Sequence, residues 1–214
     1  MNFDLLSEKL ANRLQEPLPG PAAHEPLRAT PTGLIKPKFD HKLPPKPGSV
    51  LILLYPDDGS VKFPLTKRPD YLGAHGGQVS LPGGKSEQGE NAIQTALREG
   101  EEEIGVQTTE MKVVGTLSNF FVIPSNFMVT PVIAYSSAKP RFVPQETEVE
   151  RILECDLLDL LRPEAIQTKE IVAAKMYPML APHFLIDGEV VWGATAMMLN
   201  ELRTLIRQFD DSLI

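Results

Sequence analysis

The chain of 214 residues carries 28 acidic and 21 basic side chains, giving a formal net charge of −7 at pH 7. This length suffices for one core-forming domain with an extension, and the acidic balance excludes nonspecific nucleic-acid binding as the main task. The single cysteine, Cys155, excludes an intrachain disulfide framework and is typical of a reducing compartment. No run of 18 apolar residues and no signal-peptide pattern is present, so we expect a soluble, cytoplasmic protein without a membrane partner.

The first 47 residues are predicted to form a helix followed by an ordered, proline-rich arm. Apolar residues from Phe3 to Leu14 recur at helical spacing and predict an amphipathic helix over residues 3–15. Nine prolines between residues 16 and 48 indicate an extended arm without regular structure that wraps over the core or a partner subunit. We therefore divide the chain into this extension, residues 1–47, and a main domain, residues 48–214.

The main domain is predicted to mix strands and helices. Strands are expected at residues 49–55, 61–67, 78–81, 111–117, 129–135 and 148–153, with a loop at 120–127 and a hairpin at 184–192 around Asp187-Gly188. Helices are expected at residues 91–105, 157–161, 163–175 and 194–209. Pro64 should place the second strand at a sheet edge, because proline cannot donate to the ladder. The fold class is therefore α/β or α+β.

The helix predicted over residues 91–105 has one apolar and one acidic face. Asn91 with Gln94 indicates a capping pair at its start, and a glycine suits the left-handed position after its end. The face predicted to be core holds Ile93, Ala96, Leu97, Gly100 and Ile104. On the other side Glu99, Glu102 and Glu103 come together at i, i+3 and i+4. Because like charges at this spacing repel, we expect a hard divalent cation such as Mg²⁺ among them.

With the residues before it, this helix resembles the Nudix box, G-x5-E-x7-R-E-U-x-E-E-x-G-U, in which U is a bulky aliphatic residue. All fixed letters stand at the family spacing, as Gly84, Glu90, Arg98, Glu99, Glu102, Glu103 and Gly105. Gly100 departs from the usual aliphatic residue, which indicates close approach of a neighbouring element. The resemblance implies a Nudix-type α/β/α sandwich with a mixed sheet, to which this chain adds the N-terminal helix and arm.

The resemblance also implies metal-dependent hydrolysis of a nucleoside diphosphate derivative. Glu99, Glu102 and Glu103, with the carbonyl oxygen of Gly83, are expected to hold one to three Mg²⁺ or Mn²⁺ ions that bridge the pyrophosphate oxygens. A metal-bound water would attack one phosphorus in line. For its catalytic base the alternatives are Glu102, Glu103 and, outside the box, Glu148.

Arg98 shares the helix with the expected metal ligands but points to one side of them. We expect it to orient Glu99 and to pair with Glu90, which makes it a positioning residue for the site.

Three further stretches resemble the coenzyme A pyrophosphatase branch of the family. Residues 64–84 follow its signature L-L-T-x-R-[SA]-x3-R-x3-G-x3-[FYW]-P-G-G, with departures at Pro64, Pro69, Gly73 and Leu81. Residues 127–132 resemble its central strand, and residues 182–196 resemble its C-terminal end. The resemblance implies cleavage of coenzyme A or its acyl derivatives to 4′-phosphopantetheine and 3′,5′-ADP. The residues expected to meet phosphates or substrate are Arg68, Lys67, Lys85 and His75.

Two other functions remain open from the sequence. The departures at Gly73 and Leu81 favour, as an alternative, a pyrophosphatase for ADP-ribose or a dinucleotide. The second alternative is a module that senses a nucleotide without cleaving it. The intact glutamate cluster argues against this function, because such a module would not need it. A homodimer through the N-terminal arm or the last helix is predicted from their apolar stripes.

Overall fold

The computed structural model describes residues 2–34, 37–70, 76–174 and 176–209. The helices are α1 (Phe3–Arg13), α2 (Pro21–His24), α3 (Ala92–Ile104), α4 (Leu157–Leu161) and α5 (Gly193–Ile206). The strands are β1 (Thr30–Pro31), β2 (Lys46–Asp57), β3 (Ser60–Lys67), β4 (Val79–Ser80), β5 (Gly83–Lys85), β6 (Lys112–Thr116), β7 (Phe120–Val122), β8 (Phe127–Tyr135), β9 (Arg151–Asp156), β10 (Ile166–Ala173), β11 (Tyr177–Ile186) and β12 (Glu189–Trp192). Within the described ranges no helix has the length and apolar character needed to cross a bilayer.

The main sheet is mixed, as predicted. Its order is β4-β3-β2-β8-β6, with β5 also beside β2, β7 beside β8 and β9 beside β3. The central pair β2 and β8 is parallel, whereas β3 and β5 run antiparallel to β2. A second sheet places β10 on one side of β11, and both β1 and β12 on the other. The long strand β2 thus lies in the middle of the main sheet, paired with β3, β5 and β8.

Helices cover both faces of the main sheet. Side chains alternate along β2, so Leu51 and Leu53 pack with α3 in one apolar cluster, whereas Ile52 and Leu54 pack with α1 and α5 in the larger one. The stripe of α5 (Met197, Met198, Leu202 and Leu205) and the stripe of α1 are buried in that larger cluster. Both stripes are therefore used inside the chain and do not supply the dimer surface predicted from them.

A buried carboxylate anchors the first part of the N-terminal arm. Glu201 on α5 accepts hydrogen bonds from the backbone N–H of Gly20 at 3.0 Å and from the Ser118 hydroxyl at 2.6 Å. Its other oxygen lies 2.9 Å from Nε2 of His24 on α2. The arm does contain short regular elements, α2 and β1, which the prediction of an irregular segment missed.

Several predicted elements are confirmed. Asn91 and Gln94 form a reciprocal capping box at the start of α3, and Gly105 ends the helix in the left-handed region at φ 73°. The helix α4 matches residues 157–161. The hairpin of β11 and β12 turns at Asp187 and Gly188, both at positive φ, the backbone that a type I′ turn requires.

Other predictions are wrong, for identifiable reasons. The helix expected over 163–175 is a short 3-10 turn followed by β10, because this stretch, which is rich in β-branched residues, pairs over its whole length with β11 from Tyr177 to Phe184. The loop expected at 120–127 contains β7 and a 3-10 turn. Ile93, expected in the core, lies in the first turn of α3 and is exposed.

Pro64 does not mark a sheet edge. Strand β3 pairs with β9 from Lys62 to Lys67 on one side. On the other side its pairing with β2 ends at Lys62 and its pairing with β4 begins at Thr66. Pro64 falls in the gap between these two partners, where the ladder needs no donor from it.

Candidate metal centre

The acidic face of α3 rests on β5 because Gly84 leaves room for Glu99 there. A Cβ atom on Gly84 would lie 2.5 Å from Oε1 and 2.7 Å from Oε2 of Glu99. The backbone N–H of Gly83 donates to Oε2 of Glu103 at 3.3 Å. On the core side a Cβ atom on Gly100 would lie 2.5 Å from Cδ2 of Leu51. This contact confirms the close approach predicted at Gly100 and sets the height of α3 above the sheet.

The three glutamates of the acidic face differ in exposure. Glu103 is only 5% exposed, and burial raises its pKa to about 7 although the charge of Arg68 opposes the shift. Burial also raises the pKa of Glu99, and its contact with Arg98 opposes that shift. The side chain of Glu102 is 58% exposed. Burial therefore opposes the charged forms of Glu99 and Glu103, and a bound cation would offset that effect.

Arg98 ties the carboxylates together through its guanidinium group. It donates to Oε1 of Glu90 at 2.7 Å and to Oε2 at 3.1 Å, and these bonds lower the pKa of Glu90 to about 2. Its Nη1 lies 2.9 Å from both Oε1 of Glu99 and Oε2 of Glu102. The pairing with Glu90 and the contact with Glu99 expected from the sequence are both present.

Two of the residues predicted from outside the helix come near the cluster. Arg68 follows β3 and acts on the charge of Glu103. The loop after β8 is fixed to the end of α3 by the bond from the Gln145 N–H to the Glu103 carbonyl at 3.0 Å. This loop brings the exposed side chain of Glu148 close enough to raise the pKa of both Glu99 and Glu103.

The other predicted substrate contacts are not brought to the cluster. Lys67 pairs with Glu189 at 3.1 Å and with Glu150 at 3.7 Å instead. Lys85 follows Gly84 on β5, so strand alternation directs its side chain to the opposite face of the sheet from Glu99. His75 and Gly73 lie outside the described residues.

Sequence reasoning missed Ser49, which heads the apolar run of β2. Ser49 is the register partner of Gly84 and shares its face of the sheet. It is 1% exposed, and its hydroxyl finds no hydrogen-bond partner among the described residues. The signal in the sequence that could have identified Ser49 is a polar residue at the first position of a buried apolar run.

The donor set fits a divalent cation, although it is not yet gathered around one. In the described part of the chain no three His, Cys, Asp or Glu side chains surround a common metal position, since Arg98 stands between Glu99 and Glu102. The buried carboxylate of Glu103 and the partly buried carboxylate of Glu99 are nonetheless oxygen donors of the kind that a hard cation needs. The residues that would hold it are Glu99, Glu102, Glu103 and the Gly83 carbonyl.

Comparison with known proteins shows which family the chain resembles. The NUDIX domain family model matches residues 45–186. The chain is 31% identical over 173 residues to Nudix hydrolase 3 of Caenorhabditis elegans, covering 74% of this chain and 72% of that protein. It is 34% identical over 178 residues to the chloroplastic Nudix hydrolase 22 of Arabidopsis thaliana, covering 79% of this chain and 58% of that protein.

Among solved structures, a Nudix hydrolase from M. smegmatis, RenU, superposes with a TM-score of 0.55 at 17% identity. The superposition covers 78% of this chain and 89% of that one. At this identity the likeness speaks for the fold, and the predicted Nudix-type sandwich is confirmed.

Proposed function

This chain belongs to the NUDIX family and is a pyrophosphohydrolase, and we propose that it cleaves coenzyme A or its acyl derivatives to 4′-phosphopantetheine and 3′,5′-ADP. The observation that carries the chemistry is the pair formed by the buried carboxylate of Glu103 and the partly buried carboxylate of Glu99, held over Gly83 and Gly84. The choice of coenzyme A is carried by the three stretches that resemble the coenzyme A branch, around residues 64–84, 127–132 and 182–196.

The residues divide the work as follows. A bound divalent cation supplies a water of lowered pKa and neutralises charge on the pyrophosphate. Glu99, Glu102 and Glu103 would hold the cation, and Arg68, which already acts on Glu103, would meet a phosphate oxygen. Arg98 restricts the carboxylate of Glu99 through its bond at 2.9 Å.

We assign the role of base to Glu148. It is exposed, it lies close enough to Glu99 and Glu103 to influence their pKa, and no ion pair within 4 Å engages it in the described residues. Glu102, by contrast, is engaged by Arg98. A carboxylate free to approach the attacking water can take its proton.

One departure from the coenzyme A signature does not argue against coenzyme A as the substrate. Leu81, where an aromatic residue is usual, is 2% exposed and packs in the larger apolar cluster. It contributes to the core, so its identity does not alter a substrate contact. The departure at Gly73 falls outside the described residues and keeps ADP-ribose and dinucleotides as the alternative substrates.

The test compares kcat/KM for coenzyme A, ADP-ribose and a dinucleoside polyphosphate, each with Mg²⁺ and with Mn²⁺. We expect coenzyme A to exceed the others at least tenfold. A preference for ADP-ribose or the dinucleotide would refute the coenzyme A assignment and leave the hydrolase intact.

The assignment of the base is tested separately with Glu148→Gln. Removing a general base lowers kcat by about 10²–10⁴-fold, whereas Glu146→Gln, an exposed neighbour in the same loop, should leave kcat within about twofold. Equal, small effects of both substitutions would move the role back to Glu102 or Glu103.

A further inference from the structure

An exposed apolar surface lies on the same face of the main sheet as α3, some strands away from it. It consists of Phe39, His41, Phe121 and Met128, here called the aromatic shelf. Phe39, Phe121 and Met128 are 44%, 38% and 36% exposed. The rings of Phe39 and His41 stack at 6.4 Å between centroids with 11° between planes, and His41 meets Phe121 edge-on at 6.4 Å. Large apolar side chains left in water as a group mark binding surfaces.

The acidic face and the shelf are joined by a polar row across the main sheet. Gly84, Ser49 and Thr130 are register partners on β5, β2 and β8, so they share the face on which Gly84 meets Glu99. The hydroxyl of Ser49 is buried without a partner in the described residues. Thr130 donates to the exposed Asn119 at 2.8 Å. Thr130 and Asn119 offer hydroxyl and amide groups to a ligand lying across this row, whereas the hydroxyl of Ser49 is enclosed.

The shelf continues this same face. Met128 stands two residues before Thr130 on β8, and strand alternation therefore directs both side chains to one face. Phe121 is the register partner of Met128 on β7 and shares that face. Three strand spacings of about 4.8 Å and an offset of two residues along the strand separate Phe121 from Gly84, a distance of roughly 16 Å.

We infer that the aromatic shelf binds the adenine base of the substrate, with the polar row along the ribose and the pyrophosphate at the glutamates. This inference rests on the proposed function, because it names where one half of that substrate lies. Across the sheet, apolar rings are followed by hydroxyl and amide groups and then by carboxylates. A nucleotide presents its base, its sugar and its metal-bound diphosphate in the same order. Flat rings on a surface are the usual support for a base.

Two features favour a base over a protein partner. The shelf offers four side chains, whereas a stable protein interface needs about 800 Å² from each partner. Lys38 and Lys42 flank the shelf residues of the arm and are exposed. Asp40 is the acid between them, so this stretch of the arm carries net positive charge. A phosphorylated nucleoside suits an aromatic surface with cationic neighbours.

The test is the affinity of the two product halves, measured by calorimetry without metal or turnover. The dissociation constants of 3′,5′-ADP and 4′-phosphopantetheine are compared for wild type, Phe39→Ala, Phe121→Ala and Phe121→Trp. Phe39 lies outside any helix or strand, so its variant should fold even if a change in β7 does not. Val172→Ala removes an exposed apolar side chain from β10 in the second sheet and serves as control.

Both alanine variants should bind 3′,5′-ADP about tenfold more weakly, on the scale expected for loss of a stacking ring, with 4′-phosphopantetheine unchanged. The Phe121→Trp variant should retain wild-type affinity for 3′,5′-ADP. Unchanged binding of 3′,5′-ADP, or a loss confined to 4′-phosphopantetheine, would overturn the inference. If 3′,5′-ADP binding depends on the shelf but coenzyme A is not cleaved, the proposed substrate fails and the base site stands.

Discussion

Gly84→Ala should disable the site while leaving the fold intact. The added Cβ atom would lie 2.5 Å from Oε1, 2.7 Å from Cδ and 2.7 Å from Oε2 of Glu99, where ordinary contact begins at 3.4 Å. The carboxylate must therefore retreat by about 0.9 Å. A misplacement of about 1 Å in a catalytic group can cost about 10²-fold in rate, which is about 2.7 kcal/mol of transition-state stabilisation. Gly84 is not in the left-handed region, so alanine fits its backbone.

The assay is kcat/KM on the best substrate of the wild type, paired with the thermal midpoint. We expect a loss of about a hundredfold with the free energy of unfolding changed by no more than about 1 kcal/mol. Gly89→Ala is the matched control, since its Cβ atom meets nothing within 4 Å; its positive φ costs some stability but its activity should stay within twofold. Near-wild-type activity of Gly84→Ala would refute the placement of Glu99 in the site.

Three further results are expected. Arg98→Lys should lower kcat/KM by about tenfold or more, because one ammonium group cannot replace the forked guanidinium donors; full activity would make Arg98 dispensable. Gly100→Ala should lower the free energy of unfolding by about 1–2 kcal/mol through its clash with Leu51, and Leu51→Val in the same chain should recover part of it; an unfolding free energy equal to that of wild type would contradict the packing. Burial alone would raise the pKa of Glu201, but its hydrogen bonds, led by that of His24, lower it overall. The stability it contributes is therefore full above the ordinary pKa of about 4.5 and is lost as the pH falls through the lower folded value. Glu201→Gln should flatten that acid loss in urea titrations, and an unchanged slope would count against the anchor.

Prediction from sequence succeeded where local chemistry decides the structure. The capping box at Asn91, the left-handed Gly105 and the Asp187-Gly188 turn are each set by a few neighbouring residues. It failed where a distant partner decides. Residues 166–173 alternate polar and β-branched side chains weakly, and only the pairing with β11 makes them a strand. Pro64 likewise does not lie at a sheet edge, because it falls between two different strands, β2 and β4, that pair with the same side of β3.

The candidate site follows the same division. The register of Glu99, Glu102 and Glu103 on one helix face could be predicted, because helical geometry fixes it. Their unequal burial could not, since it depends on how close β5 lets α3 approach. The positions of Lys67 and Lys85 could not be predicted either: one meets Glu189 from β12, and the other is turned away by the alternation of β5.

The central claim is that the protein hydrolyses the pyrophosphate of coenzyme A and needs the glutamates of α3 to do so. Its most direct test is chromatography of coenzyme A incubated with Mg²⁺ and the wild-type protein, beside Glu103→Gln. We predict that wild type forms 3′,5′-ADP and 4′-phosphopantetheine in equal amounts and that the variant forms them at least about a hundredfold more slowly, a loss of about 3 kcal/mol in transition-state stabilisation. Intact coenzyme A after incubation with wild type, or equal rates for the two proteins, would contradict the claim.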